Sequence, residues 1–229
     1  VKIEVWSDVV CPWCIIGKRR LEAAIAERPD LDVDVVYRSF ELDPSQTPLP
    51  EGGDLADVLA KKYSMTRGKA LAMMDHVAKT AAEEGVAMNF ETQKREAGSF
   101  DAHRQLQLAR VYDAESGTQT QVALKERLMT AWFCEGRSIR DPASLRALAV
   151  EAGLPEDRVD AVLADPEAHA SEVRDDEATA RSLGVSGVPF FVFDRKVGVS
   201  GAQPKAVFLQ ALSQLAPEVS GETCGVDGC

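Results

Sequence analysis

Two cysteines stand two residues apart near the start of the chain, in Val10-Cys11-Pro12-Trp13-Cys14-Ile15. Thiols at this spacing can act in sequence on a disulfide: the first attacks as a thiolate, and the second resolves the mixed disulfide that forms. The attack needs a lowered thiol pKa, which a helix N-terminus supplies. Pro12 suits a first helical turn, where its missing N–H is not needed. Cys11 then becomes the cap residue, facing the positive end of the helix dipole, with Cys14 one turn further on. Lys18, Arg19 and Arg20 follow a turn or more away, so the Cys11 thiol is expected below the ordinary range, though not extremely so. The same pair could be two small buried residues or half of a zinc site. A strand pattern before it and a helix pattern after it favour redox chemistry.

Those flanking elements can be read directly. Lys2–Trp6 is an apolar strand pattern and Ser7–Val10 a loop that delivers Cys11. Pro12 to about Glu27 predicts a helix with Ile15, Ile16, Leu21, Ala24 and Ile25 on one face. Leu31–Phe40 alternates and predicts the next strand. A strand–helix–strand unit of this length implies a parallel pair with a right-handed crossover. Pro44, Pro48 and Pro50 with two glycines mark 41–54 as a boundary loop. Helices are then expected at about 55–63, 66–84, 101–115, 118–135, 142–152, 155–164 and 167–183, with Gly85, Gly117, Gly136, Gly153 and Gly184 at their ends. Strand character returns at Val185–Asp194, turns at Asp194-Arg195-Lys196, continues over Val197–Ser200, and a last helix spans about Pro204–Leu215. The expected architecture is α/β: a mixed sheet interrupted by an all-helical insertion.

Composition narrows the function. The 229 residues carry a net charge of −11, so nucleic acid gains nothing here and is not an expected partner. No apolar run approaches a membrane span. The strand pattern begins at Lys2 without a secretory leader ahead of it, from which a cytoplasmic location is expected. Five cysteines, at 11, 14, 134, 224 and 229, are too few and too clustered for a disulfide-stapled scaffold. No cofactor is called for, and the metal reading is the minor one.

Strand–Cys-Pro-Trp-Cys–helix, a distant Gly187-Val188-Pro189 before the aromatic run Phe190–Phe193, and the helical block between them resemble the thioredoxin superfamily, and the DsbA family in particular. Three further segments, Arg38–Pro44, Ser99–Arg104, and Val185–Asp194 followed by Ser200–Pro204, are similar to the FrnE-type branch of dithiol-disulfide isomerases. The resemblance covers residues 1 to about 216. It implies a thioredoxin-like fold over 1–53 and 176–216, a helical insertion domain over 54–175, and a tail over 217–229. It also implies a disulfide oxidoreductase with Cys11 attacking and Cys14 resolving, and with Pro189 cis and facing the two sulfurs. Protein thiols and disulfides would be the substrates, and thioredoxin or glutathione the reductant. The Val188 backbone could pair with an extended substrate as an added strand, with Pro12 and Trp13 beside it. Trp13 departs from the wider DsbA pattern, which has a polar or basic residue between the cysteines.

Other residues admit plainer readings. Cys224 and Cys229, four residues apart in a glycine-containing tail, could form a second redox pair or be idle. Cys134 reads as a buried inert thiol. His103 and Arg104 read as structural hydrogen-bonding residues, which the resemblance sets at the interface above the active site. Met65, Met73, Met74 and Met88 read as core or cleft lining. Asp8 reads as a solvated loop acid, with a proton shuttle to Cys14 as the functional alternative. Two other functions share the fold: a glutathione-dependent small-molecule isomerase or transferase, and a non-catalytic metal-binding or holdase-like module.

Overall fold

The computed structural model describes residues 1–44, 54–91 and 98–215. Its sheet has the order β2-β1-β3-β4. Strand β1 (Lys2–Ser7) pairs parallel with β2 (Asp34–Ser39) and antiparallel with β3 (Phe190–Phe193), which pairs antiparallel with β4 (Val197–Ser200). The parallel β1–β2 pair is the one that strand–helix–strand spacing predicts. Because β1 is central, every residue after Lys2 is buried, on both faces.

One face holds the apolar alternates of β1. Ile3 and Val5 pack with Phe191 and Phe193 of β3 against helix α1 (Pro12–Ala26) and helix α9 (Lys205–Ser213). The rings of Phe191 and Phe208 meet edge to face at 4.8 Å. On the other face Trp6 packs against Ala180 of helix α8 (Ala170–Ser182) and Val185, and its indole N–H donates to the Asp176 carbonyl at 2.9 Å. Glu4 shares that face and is buried. Arg38 Nε at 3.0 Å and Arg195 Nε at 2.9 Å donate to its carboxylate, the pairing that a charge in a central strand requires.

The middle of the chain is helical: α2 (Leu55–Lys62), α3 (Arg67–Glu83), α4 (Phe100–Ser116), α5 (Thr120–Thr130), α6 (Pro142–Glu151) and α7 (Glu156–Ala164). Several ends follow local chemistry. Asp54 accepts from the Ala56 N–H at 2.8 Å and Asp141 from the Ser144 N–H at 2.8 Å. Gly117, at φ 72°, closes α4 in the left-handed region. Leu106, Leu124, Leu128, Phe133, Leu145 and Leu148 form the core of this block. That core runs without a break into Cys11 and into Cys14, Ile15 and Ile16 of α1, so the insertion packs directly on the dithiol.

Three segments differ from the sequence reading. The strand expected from Val185 starts only at Phe190, because Pro189 has no N–H for a ladder and its preceding bond is cis. The helix expected to 135 is α-helical only to Thr130 and widens into a π-helical turn over Ala131–Glu135. The strand expected over Leu31–Phe40 is confined to Asp34–Ser39. The hairpin turn is where the sequence puts it. Asp194 and Arg195 both take positive φ, 46° and 54°, the backbone hand that matches strand twist in a tight hairpin.

Candidate active site

The Ser7–Val10 segment leaves the sheet and hands the chain to α1. Cys11 is the N-cap residue (φ −90°, ψ 114°), Pro12 opens the helix, and the Cys14 N–H donates to the Cys11 carbonyl at 3.0 Å. Both cysteines are free and buried, Cys11 at 3% and Cys14 at 2% exposure. The Cys11 thiol donates to the Val188 carbonyl at 3.6 Å, so the dithiol faces the residue before Pro189. The Val188–Pro189 bond is cis, and the Pro189 carbonyl is held by the Gly201 N–H at 2.8 Å.

Gly17 lets the two walls approach. A Cβ there would lie 3.0 Å from Pro189 Cγ and 3.0 Å from Phe191 Cζ, so any side chain would push α1 away from the proline. Pro12, Trp13 and Val188 are half-buried around the sulfurs. The Trp13 ring lies 6.1 Å from that of His76 on α3, tilted by 53°.

Beneath the dithiol lies a buried polar floor. Asp8 is fully buried rather than solvated. It accepts from the Leu42 N–H at 2.8 Å, the Val10 N–H at 3.3 Å and His103 Nε2 at 3.3 Å. Burial pushes its carboxyl up, but His103 and these donors outweigh that and hold it below the usual range. His103 thus has the structural role read for it. Arg104 does too: it donates to the carbonyls of Ala168 at 2.8 Å and Val162 at 2.6 Å, tying α4 to the end of α7.

Lys125 of α5 completes the floor. It is fully buried, donates to the Ser7 carbonyl at 3.1 Å, and lies 5.6 Å from the centre of the Tyr37 ring. Burial pulls its ammonium down to about 8. Sequence reading missed it, because a lysine in Lys125-Glu126-Arg127 has every mark of a solvated helix face. Lys18, Arg19 and Arg20 are engaged elsewhere: Lys18 pairs with Glu126 at 2.7 Å, Arg19 also meets Glu126, and Arg20 pairs with Glu84 at 2.6 Å.

The two thiols titrate together. Cys11 is pushed well up, first by its hydrogen bond to Cys14 and then by burial and the Cys14 charge. Burial also pushes Cys14 up, but the hydrogen bond from Cys11, the Lys125 ammonium and Ser7 pull it below the ordinary thiol range. Within the pair the direction is therefore up for Cys11 and down for Cys14. This corrects the expectation of a lowered Cys11. The causes of the rise are the neighbouring Cys14, burial and Asp8, which outweigh what the helix start led the sequence reading to expect.

The remaining candidates lie elsewhere. Cys134 is half-buried on the π-helical turn and packs against the insertion core. Burial raises its thiol. Met74 and Met88 line a groove of about 640 Å³ with Leu71 and Phe90, and neither Cys11 nor Cys14 borders it. Cys224 and Cys229 lie outside the described residues. Among the described residues no group of three His, Cys, Asp or Glu side chains could hold a metal ion, and no helix is long and apolar enough to cross a membrane.

A thioredoxin-like sheet, a long helical insertion and a helix-capping Cys-x-x-Cys set against a cis proline define a DsbA-type fold of the thiol–disulfide oxidoreductases. The chain belongs to the DSBA-like thioredoxin domain family, which matches residues 2–213. A Streptomyces coelicolor protein described as a probable DsbA oxidoreductase is 43% identical and superimposes with a TM-score of 0.81, covering 100% of this chain and 97% of its own. The Bacillus subtilis protein YwbO, described as uncharacterized, is 29% identical over 213 residues, 93% of this chain and 96% of its own. The cytosolic disulfide reductase DsbM of Pseudomonas aeruginosa, solved with GSH, shares the fold at 21% identity and a TM-score of 0.64, covering 94% of this chain and 99% of its own.

Proposed function

We propose that this chain is a thiol–disulfide oxidoreductase of the FrnE-type dithiol-disulfide isomerase branch, acting on the disulfides of protein substrates. The observation that carries the reading is the Cys11 sulfur at a helix N-terminus, 3.6 Å from the Val188 carbonyl, with Cys14 one turn behind it. Loss of the Cys11 proton gives the attacking thiolate. Cys11 attacks a substrate disulfide, the substrate S–S bond breaks, and one substrate sulfur leaves as a thiolate. Cys14 then attacks Cys11 Sγ, the Cys11–substrate bond breaks, and the second substrate thiolate leaves. The substrate gains two electrons and the protein becomes a disulfide. In isomerisation the substrate's own thiol displaces Cys11 instead, and no net electrons move.

The Val188 backbone precedes the β3 ladder, which begins at Phe190, and in this reading it pairs with an extended substrate. Pro189 shapes that edge, Pro12 and Trp13 flank it, and the helices within 54–175 cover it. A thiol reductant such as thioredoxin or glutathione returns the pair to the dithiol, as suits a cytoplasmic location. Cys224 and Cys229 are the candidates for a second pair feeding the first.

Insulin reduction and refolding of a scrambled disulfide protein test the reading. Cys11→Ser is expected to abolish both, and Cys14→Ser to accumulate mixed disulfide. Activity that survives Cys11→Ser overturns the assignment. Tight glutathione binding without dithiol activity would instead favour a small-molecule isomerase or transferase.

A further inference from the structure

We propose that Arg20 is a positioning residue that ties the Val188–Pro189 edge to the helical insertion and thereby sets the affinity for polypeptide disulfides. The inference rests on the reading of Val188 as the edge that pairs with an extended substrate, and it names the side chain that holds this edge in place.

The sheet alone does not hold the edge, because Val188 and Pro189 precede the β3 ladder. The Pro189 carbonyl accepts instead from the Gly201 N–H at 2.8 Å, in the turn that follows β4. That turn is braced within itself. Gly201 takes φ 79°, a left-handed backbone that suits glycine. The Gln203 N–H donates to the Gly201 carbonyl at 2.9 Å, and the Gln203 side-chain amide donates to the Ser200 carbonyl at 2.8 Å. These bonds shape the turn but do not fix it against α1. Two contacts do. A Cβ on Gly17 would lie 3.5 Å from Ala202 Cα. One turn further along α1, Arg20 Nη1 donates to the Ala202 carbonyl at 2.7 Å.

The same guanidinium reaches the insertion. Arg20 Nε donates to the Glu84 carboxylate at 2.6 Å, and Glu84 is the residue that ends α3. A guanidinium is a rigid planar fork, so the direction of one N–H fixes the direction of the others. Glu84 therefore aims the N–H that Ala202 receives. An ion pair of this kind contributes little stability by itself; its consequence lies in what else the fork holds. Contacts run unbroken from the end of α3 through Arg20, Ala202, Gly201 and Pro189 to the Val188 carbonyl, which faces the Cys11 thiol. Helix α3 also carries His76 against the Trp13 ring. The Trp13 side and the Val188 side of the dithiol are thus linked through one side chain.

Main-chain pairing supplies affinity for an extended peptide. An edge that is free to shift weakens this pairing before and during reaction alike, which raises the half-saturating concentration and spares the maximal rate.

Rapid-quench reaction of the reduced full-length chain with excess insulin reads both quantities. Arg20→Met keeps the aliphatic stem and removes the fork. It is expected to raise the half-saturating insulin concentration at least fivefold and to lower the maximal rate less than twofold. Amide exchange at Gly201 should quicken at least tenfold, with exchange at Val5 of the central strand unchanged. Arg20→Lys offers a single-point ammonium in place of the fork. It should keep most of the thermal stability and still show at least half of the rise in half-saturating concentration. An unchanged half-saturating concentration in Arg20→Met overturns the inference, as does Gly201 exchange that quickens only in step with Val5, because Arg20 would then act on stability alone. If Arg20→Met does not fold, an unchanged half-saturating concentration in Arg20→Lys overturns it. An unaltered chain whose reaction with insulin does not saturate overturns the edge-pairing reading, and the inference with it, whatever the variants do.

Discussion

Replacing Lys125 by methionine is expected to make the protein more stable at neutral pH. Burial moves the ammonium from 10.5 to about 8. At 1.36 kcal/mol per unit this is a penalty of about 3 kcal/mol on the folded state below pH 8. Methionine carries no such penalty and sets a polarisable sulfur against the Tyr37 ring. The substitution forfeits the hydrogen bond to the Ser7 carbonyl, about 1 kcal/mol. The net expectation at pH 7 is a gain of about 2 kcal/mol. The sign has a pH signature. Between pH 8 and 10.5 the unfolded chain holds the lysine proton and the folded chain does not, so stability of the lysine form rises with pH across that window. The advantage of Lys125→Met should therefore shrink and vanish as pH approaches 10.5. Urea unfolding of both proteins, fully reduced, at pH 7 and pH 10 reads this directly. A variant less stable than the lysine form at pH 7, or a gap equal at both pH values, refutes the claim that Lys125 is held charged at a cost.

Three further perturbations follow from the same geometry. Gly17→Ala should cost about 1–3 kcal/mol by overpacking and lower insulin reduction, because its Cβ meets Pro189 and Phe191 at 3.0 Å and displaces α1 from Val188; unfolding and activity on one preparation check both. Asp8→Asn removes a negative charge that helps hold the Cys11 proton, so Cys11 should be alkylated faster by iodoacetamide at neutral pH. Because the Asp8 carboxyl is held low, its stabilising share is present above the unfolded pKa and lost as pH falls through the folded one, so the stability gap to Asp8→Asn should close in acid. Gln121→Ala should cost about 1–3 kcal/mol and speed amide exchange at Tyr37, because the Gln121 amide accepts from the Tyr37 N–H at 2.9 Å and donates to its carbonyl at 3.0 Å.

That last pair of hydrogen bonds shows what linear pattern does not carry. Strand β2 is an edge, and an edge needs its backbone groups covered. The cover is a glutamine side chain from α5, with the Asp176 carboxylate accepting from the Ser39 N–H at 3.0 Å further along. Strands, helices and the β3–β4 turn were legible because hydrophobic period, glycine ends and proline starts act over a few residues. Errors arose where backbone geometry changes within an element, at the cis Val188–Pro189 bond and the π-helical turn.

The sequence by itself determined the dithiol, its place at a helix start and the interrupted α/β fold, because each is written in neighbouring residues, whereas the proline opposite the dithiol was implied by the family resemblance. Tertiary structure decided the surroundings that push the Cys11 thiol up and the Cys14 thiol down. Asp8, Cys14, His103 and Lys125 come from three different parts of the chain, and burial removes the water that would otherwise screen them. A buried ammonium more than a hundred residues away from Cys14 therefore acts on its thiol, beside the hydrogen bond from Cys11.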